Sequence, residues 1–321
     1  MAKIFRSILG DVSIDKMGLT YSHEHIIIED CYVTVANPEF LLNDVEKVSE
    51  ELRGFFKAGG RTMIDTMPTN AGRNIVKLAK ISRNTGVNII ASTGIHLEIY
   101  YPNKHWRYGY TEDQLTSLFV DDIEKGIDIY DYSGPFVERS KNKAGIIKLA
   151  TGSDPITAHQ EKIFRAVVNA HKITGAPVLT HTNYGENALE QALLFEKLGA
   201  DLDHVVLSHV DRFQDLDYQK RVLDTGVRVE YDSAFRWKKD SKNWTFFFLK
   251  ELLPLYPNQI TIGMDMAKNA YWKSYGGEPG LNYLIETIPL YLNMYDLGEY
   301  IQKLFYDNPH NLYAFSQKFS F

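Results

Sequence analysis

The chain has 321 residues, 44% of them hydrophobic and 24% charged, with a net charge of −6; that balance suits a globular protein and leaves no dense basic face for nucleic acid. No apolar run approaches the roughly 18–20 residues of a membrane span, and the apolar stretch in the leading MAKIFRSILGDVSIDKM is too short for a signal-peptide core. The one cysteine, Cys31, cannot close an internal disulfide, so the expectation is a cytoplasmic protein that engages neither membrane nor nucleic acid.

Eight short apolar or β-branched runs follow one another along the chain: LTYSHEHIII (19–28), RTMIDTM (61–67), VNIIASTG (87–94), GIIKLAT (145–151), APVLTHT (176–182), HVVLSHV (204–210), VRVEYD (227–232) and QITIGMD (259–265). Each precedes a segment with the helical spacing of apolar residues, at 42–56, 74–83, 112–125, 155–174, 186–198, 216–225, 244–253 and 281–294. Glycines at 59–60, 175 and 226 stand where those helices should stop. Strands alternating with helices predict a parallel sheet, and eight such units without a break predict one (β/α)8 TIM barrel over residues 1–321. A doubly wound sheet is the other architecture with this rhythm, but no Gly-x-Gly-x-x-Gly turn follows the first run. Residues 95–110 and 235–243 read as long loops after the third and seventh strands, and 311–319 as a short closing helix.

His23 and His25 are two apart on the first run, so on a strand they share a face. Such a pair is either a polar accident or a metal grip, and the other strands decide between them. Lys148, His181, His209 and Asp265 fall at or near the carboxyl ends of the fourth, fifth, sixth and eighth runs, the end where barrel enzymes place their chemistry. His181 and His209 are 28 residues apart, and His209 and Asp265 56, one and two steps of the same repeat. Lys148, flanked by Ile147 and Leu149, would point into the barrel, where an ammonium is penalised. Either it reaches a carboxylate, or its amine becomes neutral and adds carbon dioxide to give a carbamate able to bridge two metal ions. Two dications bring about +4, and a carbamate, Asp265 and a hydroxide would remove about three of those charges.

HEH at 23–25, AGIIKLAT, GAPVLTHT, VVLSHVD and the aspartate of the eighth strand together resemble the phosphotriesterase family of the amidohydrolase superfamily, from about Gly10 to Leu312. The resemblance implies a binuclear metal centre, usually zinc, in a TIM barrel. His23, His25 and Asp265 would hold the more buried ion, and His181 and His209 the more exposed one. Carbamylated Lys148 and a hydroxide would bridge the two. Asp265 would also be the catalytic proton acceptor, and relatives are often homodimers. Glu24 should point away from the metals and be structural, while Asp211 reads either as a proton relay or as a loop cap. Ser22 stands where the family usually has threonine, and methionines flank Asp265; neither departure touches a ligand.

Substrates in that family include organophosphates, acyl-homoserine lactones, and sugar lactones with and without phosphate. The loop after the seventh strand carries Arg236, Lys238, Lys239 and Lys242, a poor lining for an alkyl chain but a good one for a phosphate or carboxylate. Lys238 and Lys239 read as solvated charges at a helix start, leaving Arg236 and Lys242 as substrate contacts. Tyr100, ahead of Tyr101, occupies the place where lactonases of this family put a tyrosine against the ring. Lys273 and Tyr275 are placed to reach the mouth, and His96 and His105 read as ordinary loop residues. The expectation is therefore a binuclear zinc hydrolase opening a small, anionic, phosphorylated sugar 1,4-lactone by attack of a metal-bridging hydroxide. Phosphotriesterase or acyl-homoserine lactonase activity is the alternative chemistry, and a non-catalytic metal-binding barrel the alternative class.

Overall fold

The structure is a computed structural model that describes residues 3–237 and 242–315, so Lys238 and Lys239 lie outside the described residues. An antiparallel hairpin, β1 (Ile4–Ser7) and β2 (Gly10–Ser13), precedes the main sheet. Eight parallel strands then follow in unbroken sequence order: β3 (Leu19–Glu24), β4 (Gly60–Asp65), β5 (Asn88–Gly94), β6 (Ile146–Thr151), β7 (Val178–Thr182), β8 (Val205–Ser208), β9 (Arg228–Tyr231) and β10 (Ile260–Ile262). Each of the eight expected runs supplies one of them.

Closure of the barrel falls on residues of the candidate site. Just past β10, the Met264 and Asp265 amides donate to the His23 carbonyl at 3.3 and 3.0 Å, joining last strand to first. Gly263 permits this approach: a Cβ there would lie 2.7 Å from the His23 nitrogen, closer than real side chains come. The ladder register also matters, because His181 pairs with Ser208 on one side and Ala150 on the other, which sets Lys148 two positions deeper on β6 and on the same face as His181.

The helices follow the expected spacing, and six of the eight start where a side chain caps them, the exceptions being Ala188–Leu198 and Tyr283–Met294. The segment expected from 155 begins at Ala158, because Thr157 accepts the Gln160 amide and Gln160 returns a bond to the Thr157 amide. A cap of this kind contributes about 1 kcal/mol, enough to choose among neighbouring start points. The same helix stops at Thr174, where Gly175 takes φ 74°.

Two elements differ from expectation. The hairpin was unforeseen, and the chain end is helical over Tyr300–Gln302, Lys303–Asp307 and Asn308–Tyr313 rather than from 311 to 319; residues 316–321 lie outside the description. Both serve one purpose. Phe5 of the hairpin and Leu312 and Tyr313 of the last helix pack with Ile64, Ile90 and Ile146 in an apolar plug at the amino end of the barrel. Chemistry is thereby left to the opposite end. Among the described residues no helix is long and apolar enough to cross a membrane.

Candidate metal centre

β3 ends at Glu24, and the two histidines on either side of it turn towards the same carboxylate. His25 Nε2 lies 3.0 Å from Asp265 Oδ1 and His23 Nε2 3.8 Å from the same oxygen. Glu24 points the other way, as expected of a structural residue: its two carboxylate oxygens accept the Met264 and Met266 amides at 2.9 and 3.4 Å. Those bonds bracket Asp265, which sits at φ 49°. His209 has φ 65°, so two of the six candidate ligands occupy the left-handed region that non-glycine residues seldom adopt. Such backbone costs of order 1–3 kcal/mol per residue, and it aims a side chain where regular structure would not.

Lys148, His181 and His209 complete the ring. All three are buried or nearly so, and His181 Nε2, His23 Nε2, His25 Nδ1 and Lys148 Nζ have no hydrogen-bond partner although shielded from solvent. Buried polar atoms are ordinarily satisfied, and four orphans on neighbouring candidate ligands are what a ligand set presents. Nitrogen and carboxylate donors of this kind fit zinc and the other divalent transition metals. Among the described residues His23, His25 and Asp265 form one group with donor atoms close enough to share an ion, and His23, His209 and Asp232 another.

The electrostatics agree with that use. Burial holds His23, His181 and His209 well below the usual imidazole range, with Lys148 and neighbouring histidines or Arg212 adding to it, so each offers a neutral nitrogen. Burial also brings Lys148 down from 10.5 to about 8, against the pull of Glu230, Asp265 and Asp232. Burial alone would raise the Asp265 carboxyl, but Arg236, His209, His25 and Arg212 together hold it well below the carboxylate range.

Sequence reasoning overlooked a set of residues around these ligands. Arg212 Nη2 lies 2.6 Å from Asp265 Oδ2 and 2.9 Å from Asp232 Oδ1. β9 supplies no expected ligand, yet Glu230 Oε2 is 2.8 Å from His23 Nδ1. Asp232 Oδ2 is 2.7 Å from His209 Nδ1, though out of line with the ring N–H, and accepts the His209 amide at 3.1 Å. Glu230 and Asp232 could have been found by the alternation that singled out Lys148, since both interrupt the apolar run VRVEYD at period two. Asp211 faces away from the centre: its Oδ2 accepts the Ser233 amide and the Thr245 hydroxyl, the bracing role of a loop cap.

Over the ligands opens a cavity of about 600 Å³ lined by His25, His181, His209 and Asp265, with Tyr100 and Arg236 among its other walls. Among the described residues three cations border it, Arg212, Arg236 and Lys268. Arg236 is well tied, donating to Asp265 Oδ2 at 2.9 Å and to the Asp265 and Met264 carbonyls. His96 also lines the cavity, stacked on Tyr100 with ring centroids 3.9 Å apart, so the ordinary-loop reading of it is corrected. His105 keeps that reading, capping the turn at Arg107. Two expected substrate contacts lie elsewhere. Lys242 sets its ammonium over the Trp244 and Phe247 rings, and Lys273 borders a separate cleft with Glu50 and Glu51. Tyr275 likewise faces the helix Val45–Lys57, where its hydroxyl accepts the Asp44 amide. Loop courses are set by tertiary contacts, which spacing does not reveal.

Residues 3–313 match the family model described as the phosphotriesterase family. A phospho-furanose lactonase of Mycoplasmopsis synoviae is 32% identical over 331 residues, covering 99% of this chain and 94% of the relative. Among solved structures, a lactonase from Listeria monocytogenes superposes with a TM-score of 0.89 at 29% identity, covering 98% of this chain and all of that one. The phosphotriesterase homology protein of Escherichia coli, solved with phosphate in its active site, gives 0.83 at 27% identity over 93% of this chain and 99% of that one. With near-complete coverage in sequence and in structure, and with the donor atoms converging at the carboxyl rim of the barrel, this chain belongs to the phosphotriesterase family.

Proposed function

We propose that the protein is a metal-dependent lactonase that opens a small sugar 1,4-lactone carrying a phosphate. The observation that carries this reading is a cavity that joins His25 and His181, each with a buried, partnerless nitrogen, to Asp265 and, among the described residues, to the cationic side chains of Arg212, Arg236 and Lys268. The names of the Mycoplasmopsis synoviae and Listeria relatives support it. A long alkyl chain, as in acyl-homoserine lactones, would have to desolvate those cations, whereas a phosphate would pair with them.

In this reading His23, His25 and Asp265 would hold one divalent ion and His181 and His209 a second, with Lys148, carbamylated by carbon dioxide, as a further ligand; zinc fits the donors. Metal ions bound there would supply a hydroxide nucleophile near neutral pH and Lewis acidity towards the lactone carbonyl. Asp265, kept as a carboxylate by its two arginines, accepts the nucleophile's proton at Oδ1 and returns it to the ring oxygen as the C–O bond breaks. Arg236 and Lys268 take the substrate's anionic group, and Tyr100 and His96 form an apolar wall against the ring that orients it and excludes water. The single cysteine, Cys31, suits a cytoplasmic setting.

The test is acid release from a lactone panel by protein loaded with zinc and bicarbonate, beside an Asp265→Asn variant. Hydrolysis confined to sugar γ-lactones bearing a 5-phosphate supports the proposal. Preference for acyl-homoserine lactones or for organophosphates, either one with a kcat/KM above that for the sugar lactones, overturns the substrate assignment.

A further inference from the structure

β9 runs through the barrel wall without contributing any of the six residues assigned to the metals. At Glu230 it nevertheless points a carboxylate into the interior, fully buried, beneath the first of them. Glu230 Oε2 is 2.8 Å from His23 Nδ1, and Ser208, buried on β8, donates its hydroxyl to the same oxygen at 2.8 Å while lying 3.0 Å from His23 Nδ1. The other carboxylate oxygen, Oε1, has no partner. A buried carboxylate with one arm unsatisfied is a costly thing to keep for stability alone.

We propose that Glu230 is a positioning residue for the metal centre: it engages His23 Nδ1, leaving Nε2 as the nitrogen presented to the deeper ion. The inference rests on the metal-dependent reading given above. Whichever partner carries the shared proton, Nδ1 is occupied, and the free nitrogen is the one that lies 3.8 Å from Asp265 Oδ1 and has no hydrogen bond of its own. Ser208 adds a second anchor, so the carboxylate cannot swing away from the ring. A carboxylate behind a ligating imidazole also increases its donor strength, and loss of such a partner typically weakens metal binding about 10–100-fold. The alternation of β9 places Asp232 on the same face two residues on, beside His209, so one strand backs a histidine of each ion.

The experiment compares Glu230→Gln, Glu230→Leu and Ser208→Ala with the parent chain. Zinc stoichiometry and affinity are measured by chelator competition, and thermal unfolding is followed on the metal-stripped proteins. Glu230→Leu is expected to lose about 10–100-fold in affinity for one of two ions. Glu230→Gln, which keeps an acceptor for Nδ1 but loses the charge, should lose less, and Ser208→Ala less again. The metal-stripped Glu230 variants should unfold no earlier than the parent, because a partly unsatisfied buried carboxyl has gone. Unchanged affinity in both Glu230 variants overturns the proposal, and so does a fall in metal-free unfolding temperature that accounts for the lost affinity. Should Glu230→Leu not fold, Glu230→Gln against Ser208→Ala decides alone. A parent chain that binds no zinc refutes the metal-dependent reading itself, an outcome distinct from a parent that binds two ions with variants that match it.

Discussion

Arg212 holds Asp265 from one side while Arg236 holds it from the other, their Nη2 atoms 2.6 and 2.9 Å from the same oxygen, Oδ2. That leaves Oδ1 to face His25 and His23. Two guanidiniums on one carboxylate oxygen fix which oxygen is free for a metal and a proton. Arg236→Gln would remove one of them and one of the cations around the cavity. A charge-assisted hydrogen bond is worth about 1.5–3 kcal/mol, so kcat/KM on a phosphorylated lactone should fall roughly 10–150-fold. The decline should be smaller on the same lactone without phosphate. Equal losses on both substrates would show that Arg236 serves Asp265 alone.

Lys148 Nζ is buried without a partner, which is unfavourable for an amine and sensible for a carbamate between two cations. Lys148→Met keeps the length and discards the nitrogen. Metal-stripped Lys148→Met should be more stable than the parent, by about 1–3 kcal/mol, the penalty of an unsatisfied buried polar group. Zinc affinity and activity should drop by more than the roughly 10–100-fold typical of losing a residue that only orients a ligand. In the parent, recovery of activity on adding zinc to stripped protein should quicken with added bicarbonate. Recovery at the same rate in carbon-dioxide-free buffer would remove the carbamate from the site.

Glu24 lies between two candidate ligands and faces away from both, fastening the Met264 and Met266 amides on either side of Asp265. Glu24→Gln retains one acceptor oxygen and presents an N–H to the other amide. Denaturant unfolding of the stripped protein should show a loss of about 1–3 kcal/mol, and zinc affinity should fall with it because Asp265 is no longer held at its left-handed φ. Full stability with unaltered affinity would mean that the His23 carbonyl, which accepts the Asp265 amide, positions that turn unaided.

How far each of these features was legible in the sequence depends on its physical origin. The eight barrel strands announce themselves because each is a run of apolar and β-branched residues buried on both faces, and the ligands because they interrupt those runs at one end. The hairpin was not legible: IFRS and GDVS are four residues long, and the second is largely exposed, so neither carries a pattern. Glu230 and Asp232 were legible in principle, as charges at alternate positions of VRVEYD. Arg212, His96 and Lys268 were not, since each lies on a connection whose path is decided by contacts far away in the chain. The same reason explains the misplacement of Lys242 and Lys273.

Asp65, at the end of β4, gives a pH dependence separate from the metal ligands. Burial pushes its carboxyl up from 3.8 to about 7, against the amides of Ile26, Ile27 and Met67 and the charge of Arg73. Oδ1 accepts the Ile26 amide at 2.7 Å, while Oδ2 is buried with no partner. The folded state therefore prefers the protonated acid. Its contribution to stability is present in full below about pH 4, the unfolded value, and is lost as pH rises through about 7. Asp65→Asn keeps the acceptor for Ile26 and cannot ionise. Unfolding free energies of stripped parent and variant should thus be close at pH 4 and separate in favour of the variant as pH approaches 8, by a few kcal/mol at most. A gap that stays constant from pH 4 to 8 would mean that Asp65 is ionised in the fold throughout, with Arg73 and the three amides outweighing its burial.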